Sequence, residues 1–316
     1  MDLSNKQPWK IDVPVLIIFF ARPDILKVTF ERVREAKPSK LLLWQDGPRK
    51  NRPDDVENIQ KCRDIVSNID WECEVYTNYH EENMGCDPST HYSHKWAFTI
   101  VDKCIILEDD VVPSLSFFPF CKELLDKYEY DQRIDRICGR NLLGEYQCEA
   151  DYFFSRYGNS HGWATWRRVA ESWDTDYDFL NHSDAVRFIS LTNKNDGNKN
   201  DAIKRLQREK SEGIPYWEMV TGISTLLFNR LVIYPSKNLI SNIGVGENST
   251  HSANSIDDFS KKIQCLFYAK TFEYQFPLSH PKYIFGDDNF VKLTANLTKS
   301  GLVERICTRI KKILKI

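Results

Sequence analysis

Apolar residues in this chain fall into short continuous runs, separated by stretches in which they recur at helical spacing. Val13 to Ala21 (VPVLIIFFA), Lys40 to Trp44 (KLLLW) and Cys104 to Leu107 (CIIL) are such runs. Brief apolar segments rich in branched residues and closed by turn residues read as strands covered on both faces. Trp71 to Tyr76 (WECEVY) alternates and predicts a further strand. Between them, Ile25 to Ala36 carries Ile25, Val28, Phe30 and Val33 at helical spacing, and Pro38 ends that helix. Asp54 to Asn68 does the same with Val56, Ile59, Ile65 and Val66, and His91 to Val101 predicts a third helix. Alternating strands and helices predict an α/β fold, a mostly parallel sheet flanked by helices with right-handed crossovers.

The second half is less regular. Ser116 to Tyr130 predicts a strong helix, capped by Ser114 or Ser116, with Phe117, Phe120, Leu124 and Leu125 inward. Arg136 to Gly139 is expected to be a short strand, and Tyr152 to Trp166, dense in aromatics and glycine, a ligand-facing loop over a strand. Ile189 to Gly213 reads as an exposed helix and loop, Glu218 to Leu227 as a helix, and Leu231 to Tyr234 as a strand. Asn238 to Ser252 (NLISNIGVGENSTHS) has the glycines and asparagines of a mobile lid. One domain over 1–290 and a tail over 291–316 are expected. In the tail, Leu302, Ile306, Ile310, Ile313 and Leu314 share a helical spacing with Arg305, Arg309, Lys311, Lys312 and Lys315 between them. A basic amphipathic helix of this kind suits an anionic membrane surface, or docking on its own domain or on a partner.

Charge narrows the function classes. Lys plus Arg number 43 and Asp plus Glu 45, a net charge of −2, without the basic excess of a nucleic-acid binder. Nine cysteines without a CxxC pair suggest neither a disulfide framework nor a thiolate zinc site. The opening MDLSNKQPWKIDVP has no signal-peptide character, and no apolar run nears the roughly 18 residues that span a bilayer. The sequons at Asn181, Asn248 and Asn296 are then read as chance. A cytoplasmic location is expected, with the tail able to reach the inner face of the membrane.

The candidate chemistry lies at Glu108, Asp109 and Asp110, directly after the CIIL run. Adjacent carboxylates raise one another's pKa and are not buried unpaired, so a cation is expected beside them. Ligands of open α/β sheets bind at the carboxyl ends of strands, where these acids fall. A divalent ion shared between carboxylates and substrate phosphates suits hard oxygen donors. The competing reading is an acidic turn solvated by water.

Separate blocks then occur in one order: ARPD at 21–24, QDGPR at 45–49, NMG at 83–85 and LEDDVVPSLSFF at 107–118, followed by HGWATWRR at 161–168, Trp217-Glu218 and NLISNIGVGENSTH at 238–251. The set resembles bacterial nucleotide-sugar glycosyltransferases of the GT-A (Rossmann-like) fold. More distantly it is similar to the Golgi N-acetylglucosaminyltransferase I family. The resemblance spans about residues 13 to 252 and implies a UDP-sugar donor, Mn2+ or Mg2+, and a glycan or lipid-linked saccharide acceptor. It implies that Asp110 ligates the metal, Asp109 reaches the ribose, Glu108 the sugar, Asp46 the uracil edge and Arg22 the phosphates. As a strand, the triplet would aim Glu108 and Asp110 to one side and Asp109 to the other.

The resemblance also implies a base for the acceptor hydroxyl, and the Trp-Asp pair usual in related sequences is Trp217-Glu218 here. Glu218 is the candidate, and Asp174, which also follows a tryptophan, the alternative. Direct displacement with such a base inverts the anomeric centre. Late histidines often complete the metal site in this fold, which makes His251 a second metal candidate. Gly162 and Trp163 are expected to shape the sugar pocket, and Asn242, Gly244 and Gly246 to act in the lid. Two rivals remain: a sugar nucleotidyltransferase, which should carry a Gly-rich basic loop that Phe19 to Asp24 lacks, and an inactive nucleotide-sugar or glycan-binding scaffold.

Overall fold

Val15 to Phe19 is buried at every position, so both faces of this strand are covered. It lies in β1 (Ile11–Phe19), which pairs in parallel with β2 (Pro38–Gln45) on one side and β4 (Lys103–Glu108) on the other. Outside β2 runs β3 (Glu74–Tyr79), also parallel. Beyond β4 come β8 (Trp163–Trp166), β6 (Ile134–Cys138), β9 (Leu231–Pro235) and β7 (Tyr152–Ser155), with β8 and β7 antiparallel to their neighbours. The result is a mixed α/β architecture with a mainly parallel eight-stranded sheet in the order β3-β2-β1-β4-β8-β6-β9-β7. A separate pair joins β5 (Val111–Pro113) to β10 (Ile240–Asn242), antiparallel. A computed structural model describes residues 6–192, 199–214, 216–245, 264 and 267–298.

The flanking helices are α1 (Pro23–Ala36), α2 (Pro53–Val66), α3 (Cys86–Ile100), α4 (Phe117–Lys127), α5 (Arg167–Ala170), α6 (Ser183–Thr192), α7 (Lys199–Glu212), α8 (Trp217–Leu227) and α9 (Asp288–Thr298). Prolines open α1 and α2, where a missing N–H costs nothing. Lys37 leaves α1 in the left-handed conformation, and Pro38 begins β2 at once. Both α3 and α4 pack on β1 and β4. The predicted face of α4 is inward as expected, but its serine is used differently. The Ser116 hydroxyl accepts the Tyr274 N–H at 2.8 Å and makes no cap bond to its own helix.

Several elements differ from the sequence expectation for physical reasons. The strand expected at Trp71 to Tyr76 starts three residues later, because Trp71 is spent as an anchor. It is fully buried, and its indole N–H donates to the Pro38 carbonyl at 2.8 Å. In α1 the inward residues are Leu26, Thr29, Phe30 and Val33, while Val28 is exposed. In α2, Val56 is exposed and Asp55 takes a buried place, because the Arg49 guanidinium binds its carboxylate through two bonds of 2.8 Å. Tyr152 to Trp166 holds two strands with a loop between them. The 189–213 stretch sends Ile189 and Leu206 inward from α6 and α7. Position 290, the expected end of the domain, lies within α9, where Phe290 is buried against Phe153 at 4.7 Å and Tyr234 at 4.9 Å. The amphipathic helix expected at 301–316 lies outside the described residues.

Candidate active site

The acidic triplet does not continue as a strand. Hydrogen bonding in β4 ends at Glu108, Asp109 and Asp110 form a turn, and the chain leaves as β5 in the small sheet. The expected alternation of the three side chains across a strand is therefore replaced by a corner. Two bonds pin that corner to the body: the Asp109 N–H donates to the Ile18 carbonyl at 3.0 Å, and the Thr29 hydroxyl donates to the Asp109 carbonyl at 2.7 Å. Nothing in the sequence pattern marked Thr29 for this role.

The cation expected beside the acids is first of all Arg22. Standing just ahead of α1, its guanidinium holds Asp109 through Nε (3.2 Å) and Nη2, and reaches Asp110 Oδ2 through Nη2 at 3.1 Å. Burial works against the charge on Arg22, but the two carboxylates more than offset it and hold its pKa above the ordinary value. Asp109 is only 3% exposed, and burial keeps its carboxyl above the usual range despite Arg22. It therefore presents Arg22 to the cleft and has little of its own surface for a ribose, a correction to the role expected of it. Burial pushes Glu108 up to about 8, with Asp110, Asp109 and Glu218 adding repulsion.

Asp110 is framed from the β10 side. The Asn242 amide lies 3.4 Å from Oδ1, and the Ile243 N–H donates to the Asp110 carbonyl at 2.9 Å. A Cβ on Gly244 would come within 2.0 Å of Asp110 Oδ2, so any side chain there displaces the carboxylate. Asn242 and Gly244, expected in a lid, thus pack directly against the last acid of the corner. Gly246 and His251 lie outside the described residues.

A cleft of about 350 Å³ opens at the carboxyl ends of β1, β2 and β4, lined by Arg22, Asp46, Asn83, Glu108 and Asp109 among others. Asp46 does not offer a free carboxylate to a base, which corrects its expected role. Its Oδ1 accepts the Gly47 and Met84 N–H groups, both at 2.9 Å. Its Oδ2 accepts Gly85 N–H at 3.1 Å and the Asn83 amide at 3.0 Å. Those donors occupy the carboxylate's roughly four lone-pair sites. Asp46 instead clamps the loop after β2 to the loop before α3, joining two of the sequence blocks into one wall. The blocks flagged this wall, but the burden on Asn83 was not legible in them. Gly47 is required by the same contact, since a Cβ would meet the Glu82 backbone at 2.4 to 2.6 Å. Gly47→Ala should cost about 1–3 kcal/mol, because backbone cannot move aside as a side-chain tip can. An unchanged thermal midpoint would show that the loop yields instead.

Glu218 sits in the first turn of α8 and accepts the Ser160 hydroxyl at 2.8 Å. Its charge adds to the repulsion that raises the Glu108 carboxyl. Asp174 is engaged elsewhere, since its Oδ2 accepts the Phe179 N–H at 2.8 Å and shapes the turn after α5. Trp163 is interior, 1% exposed, and does not line the sugar pocket expected of it. It stacks on Trp217 at 6.2 Å and 14°, and His94 meets Trp163 at 5.3 Å and Trp217 at 5.0 Å, both edge-on. Burial holds the His94 pKa down at about 3, so this cluster stays uncharged and supports the start of α8. Gly162 is left-handed (φ +67°), and a Cβ would strike Ile240 at 2.6 Å, so it lets β10 approach β8.

Among the described residues no group of three or more His, Cys, Asp or Glu side chains forms a ready-made metal cage. The donor set nevertheless suits a hard ion that arrives with its substrate. Glu108, Asp109, Asp110 and Glu218 outnumber Arg22, and the Glu108 carboxyl makes no hydrogen bond or ion pair among the described residues. Magnesium-type sites commonly use one or two carboxylates plus substrate phosphates.

No protein-family model matches the chain, and no curated protein matches it. A solved structure with some likeness is the 4-diphosphocytidyl-2C-methyl-D-erythritol synthase from Anaerococcus prevotii, at 10% identity and a TM-score of 0.29. The alignment covers 50% of this chain and 73% of that one. No helix among the described residues is long and apolar enough to cross a membrane.

Proposed function

We propose that this protein is a metal-dependent glycosyltransferase that moves a sugar from a nucleotide-sugar, a UDP-sugar, to a saccharide or lipid-linked saccharide acceptor. The observation that carries the reading is the acidic corner at the end of β4, where Arg22 binds Asp109 and Asp110 at the wall of the cleft. A nucleotide diphosphate in the cleft brings negative charge to Arg22, whose planar fork suits phosphate. Asp110 would hold the Mn2+ or Mg2+ together with that diphosphate, while Asp109 keeps Arg22 in place. Bound there, such an ion supplies Lewis-acid neutralisation of the charge on the leaving group. Glu108, which lines the cleft with Arg22, would face the sugar in transit. Glu218, oriented by Ser160, takes the proton from the acceptor hydroxyl as its oxygen attacks the anomeric carbon. Attack from the side opposite the departing diphosphate inverts the anomeric configuration.

The test is calorimetric titration of UDP-, GDP- and CMP-sugars, with and without manganese, into wild type and Asp110→Ala. Manganese-dependent binding of a UDP-sugar by wild type is expected, weakened by about 10- to 100-fold or more in the variant. Binding indifferent to both manganese and Asp110 would sink the proposal. Pyrophosphate release from UTP and a sugar phosphate would mark a nucleotidyltransferase instead.

A further inference from the structure

Glu218 has a second neighbourhood, away from the nucleotide cleft. A cavity of about 400 Å³ opens between α8 and the loop joining β7 to β8, lined by Arg136, Tyr157, Asn159, Ser160, Glu218 and Gly222 among others. We propose that this cavity is the acceptor subsite, taking the terminal pyranose ring of a saccharide with one hydroxyl presented to Glu218. The inference rests on the glycosyl-transfer reading and deepens it.

Gly222 is the observation that carries it furthest. Glycine inside a helix is destabilising relative to alanine, and here α8 runs on either side of it. Packing does not explain its presence, because a Cβ at 222 would meet nothing within 4 Å. By contrast, Gly47, Gly139, Gly162 and Gly244 are each held by a neighbour within 3 Å of the Cβ they lack. Position 222 is four residues beyond Glu218, on the same helical face. Helical side chains lean toward the N-terminus, so any side chain at 222 would cover the turn that carries Glu218. The glycine keeps the approach to that carboxylate clear.

The rest of the lining fits a sugar ring. Tyr157 is 45% exposed and offers a flat apolar face. Asn159 has its amide N–H groups committed to the Arg140 carbonyl at 2.9 Å and the Tyr234 hydroxyl at 3.3 Å. Its Oδ1 is buried without a donor among the described residues. Arg136 forms a fixed floor, bonded to Asp135 at 2.7 Å and Thr225 at 3.1 Å beneath the Trp163 ring. Apolar surface with a few placed polar groups is the usual make-up of a small-molecule site. In the step itself, the acceptor oxygen bonds to the anomeric carbon and its proton passes to Glu218. The bond from that carbon to the diphosphate oxygen breaks, with its electron pair leaving on the diphosphate.

Gly222→Leu tests this in the full chain. The readouts are calorimetric UDP-sugar binding with manganese, and transfer to a panel of methyl glycosides whose binding is followed by saturation-transfer NMR. Donor binding is expected to persist, while transfer or acceptor affinity falls by about 10- to 200-fold. Tyr157→Ala, in an exposed loop, gives a second reading that does not depend on how α8 tolerates leucine, and should raise the acceptor KM about tenfold. Wild-type acceptor KM and rate in both variants, with donor turnover intact, overturn the subsite alone. Wild-type protein that binds no nucleotide-sugar overturns the parent reading, and the subsite with it.

Discussion

Glu218→Gln should leave nucleotide-sugar binding intact and cut sugar transfer by about 10²- to 10⁴-fold, the range a positioned general base contributes. The substitution keeps the size of the side chain and an oxygen able to accept the Ser160 hydroxyl, so the start of α8 has no reason to move. What it removes is the ability to take a proton from the acceptor. The loss should therefore fall on kcat, with the donor KM little changed, the pattern of an interaction made in the transition state. Asp174→Asn is the informative comparison. Asp174 is tied to the Phe179 N–H, so its replacement should lower the melting temperature without a comparable effect on kcat. A Glu218→Gln enzyme that transfers at the wild-type rate would remove Glu218 from the chemistry. Equal loss of donor affinity and rate would make it a donor-site residue instead.

The parts of this fold that were legible in the sequence are those where a local pattern and a tertiary position agree. In β1, β2 and β4, apolar runs read as doubly buried strands because Val15 to Phe19, Leu41 to Gln45 and Cys104 to Leu107 are buried at every position. The acidic corner misled for the opposite reason. Valines and a proline after Asp110 look like more strand, and they are strand, but in a different sheet whose partner, β10, begins beyond residue 239. Local periodicity carries no information about a partner so distant. The same limit governs the site. Position at a strand end marked Asp109 and the family resemblance marked Asp46, but their roles depend on what faces them. Four donors from residues 47 and 83–85 consume Asp46, and Arg22 consumes Asp109. Ser160 and Gly222 had no signal of their own. Each acquires meaning only through its relation to Glu218, one by a bond and the other by the space it leaves.

Arg22→Leu should be the most damaging change to stability around the corner, at about 3–5 kcal/mol, the cost of removing one partner from a buried ion pair. The Arg22 side chain is 18% exposed and that of Asp109 5%, so water does little to replace the lost guanidinium. The effect should depend on pH in a definite sense. Asp109 is already held above the usual carboxylate range by burial, with Arg22 acting to lower it, so the variant's carboxyl rises further. A carboxyl whose folded pKa is raised binds more protons folded than unfolded, and stability then falls as pH rises. Near the unfolded value of about 4 the proton masks the defect, and toward neutrality the full penalty appears. Denaturant melts at about pH 5 and about pH 8 should therefore show the larger gap from wild type at the higher pH. Adding Asp109→Asn removes the orphaned charge, and the double variant should recover most of the stability and lose the pH dependence. Donor binding should not return with it, because the diphosphate still lacks its arginine. A double variant as unstable as Arg22→Leu alone would mean that the corner depends on the guanidinium's shape and not on its charge. Recovered donor binding would take Arg22 out of the donor site altogether.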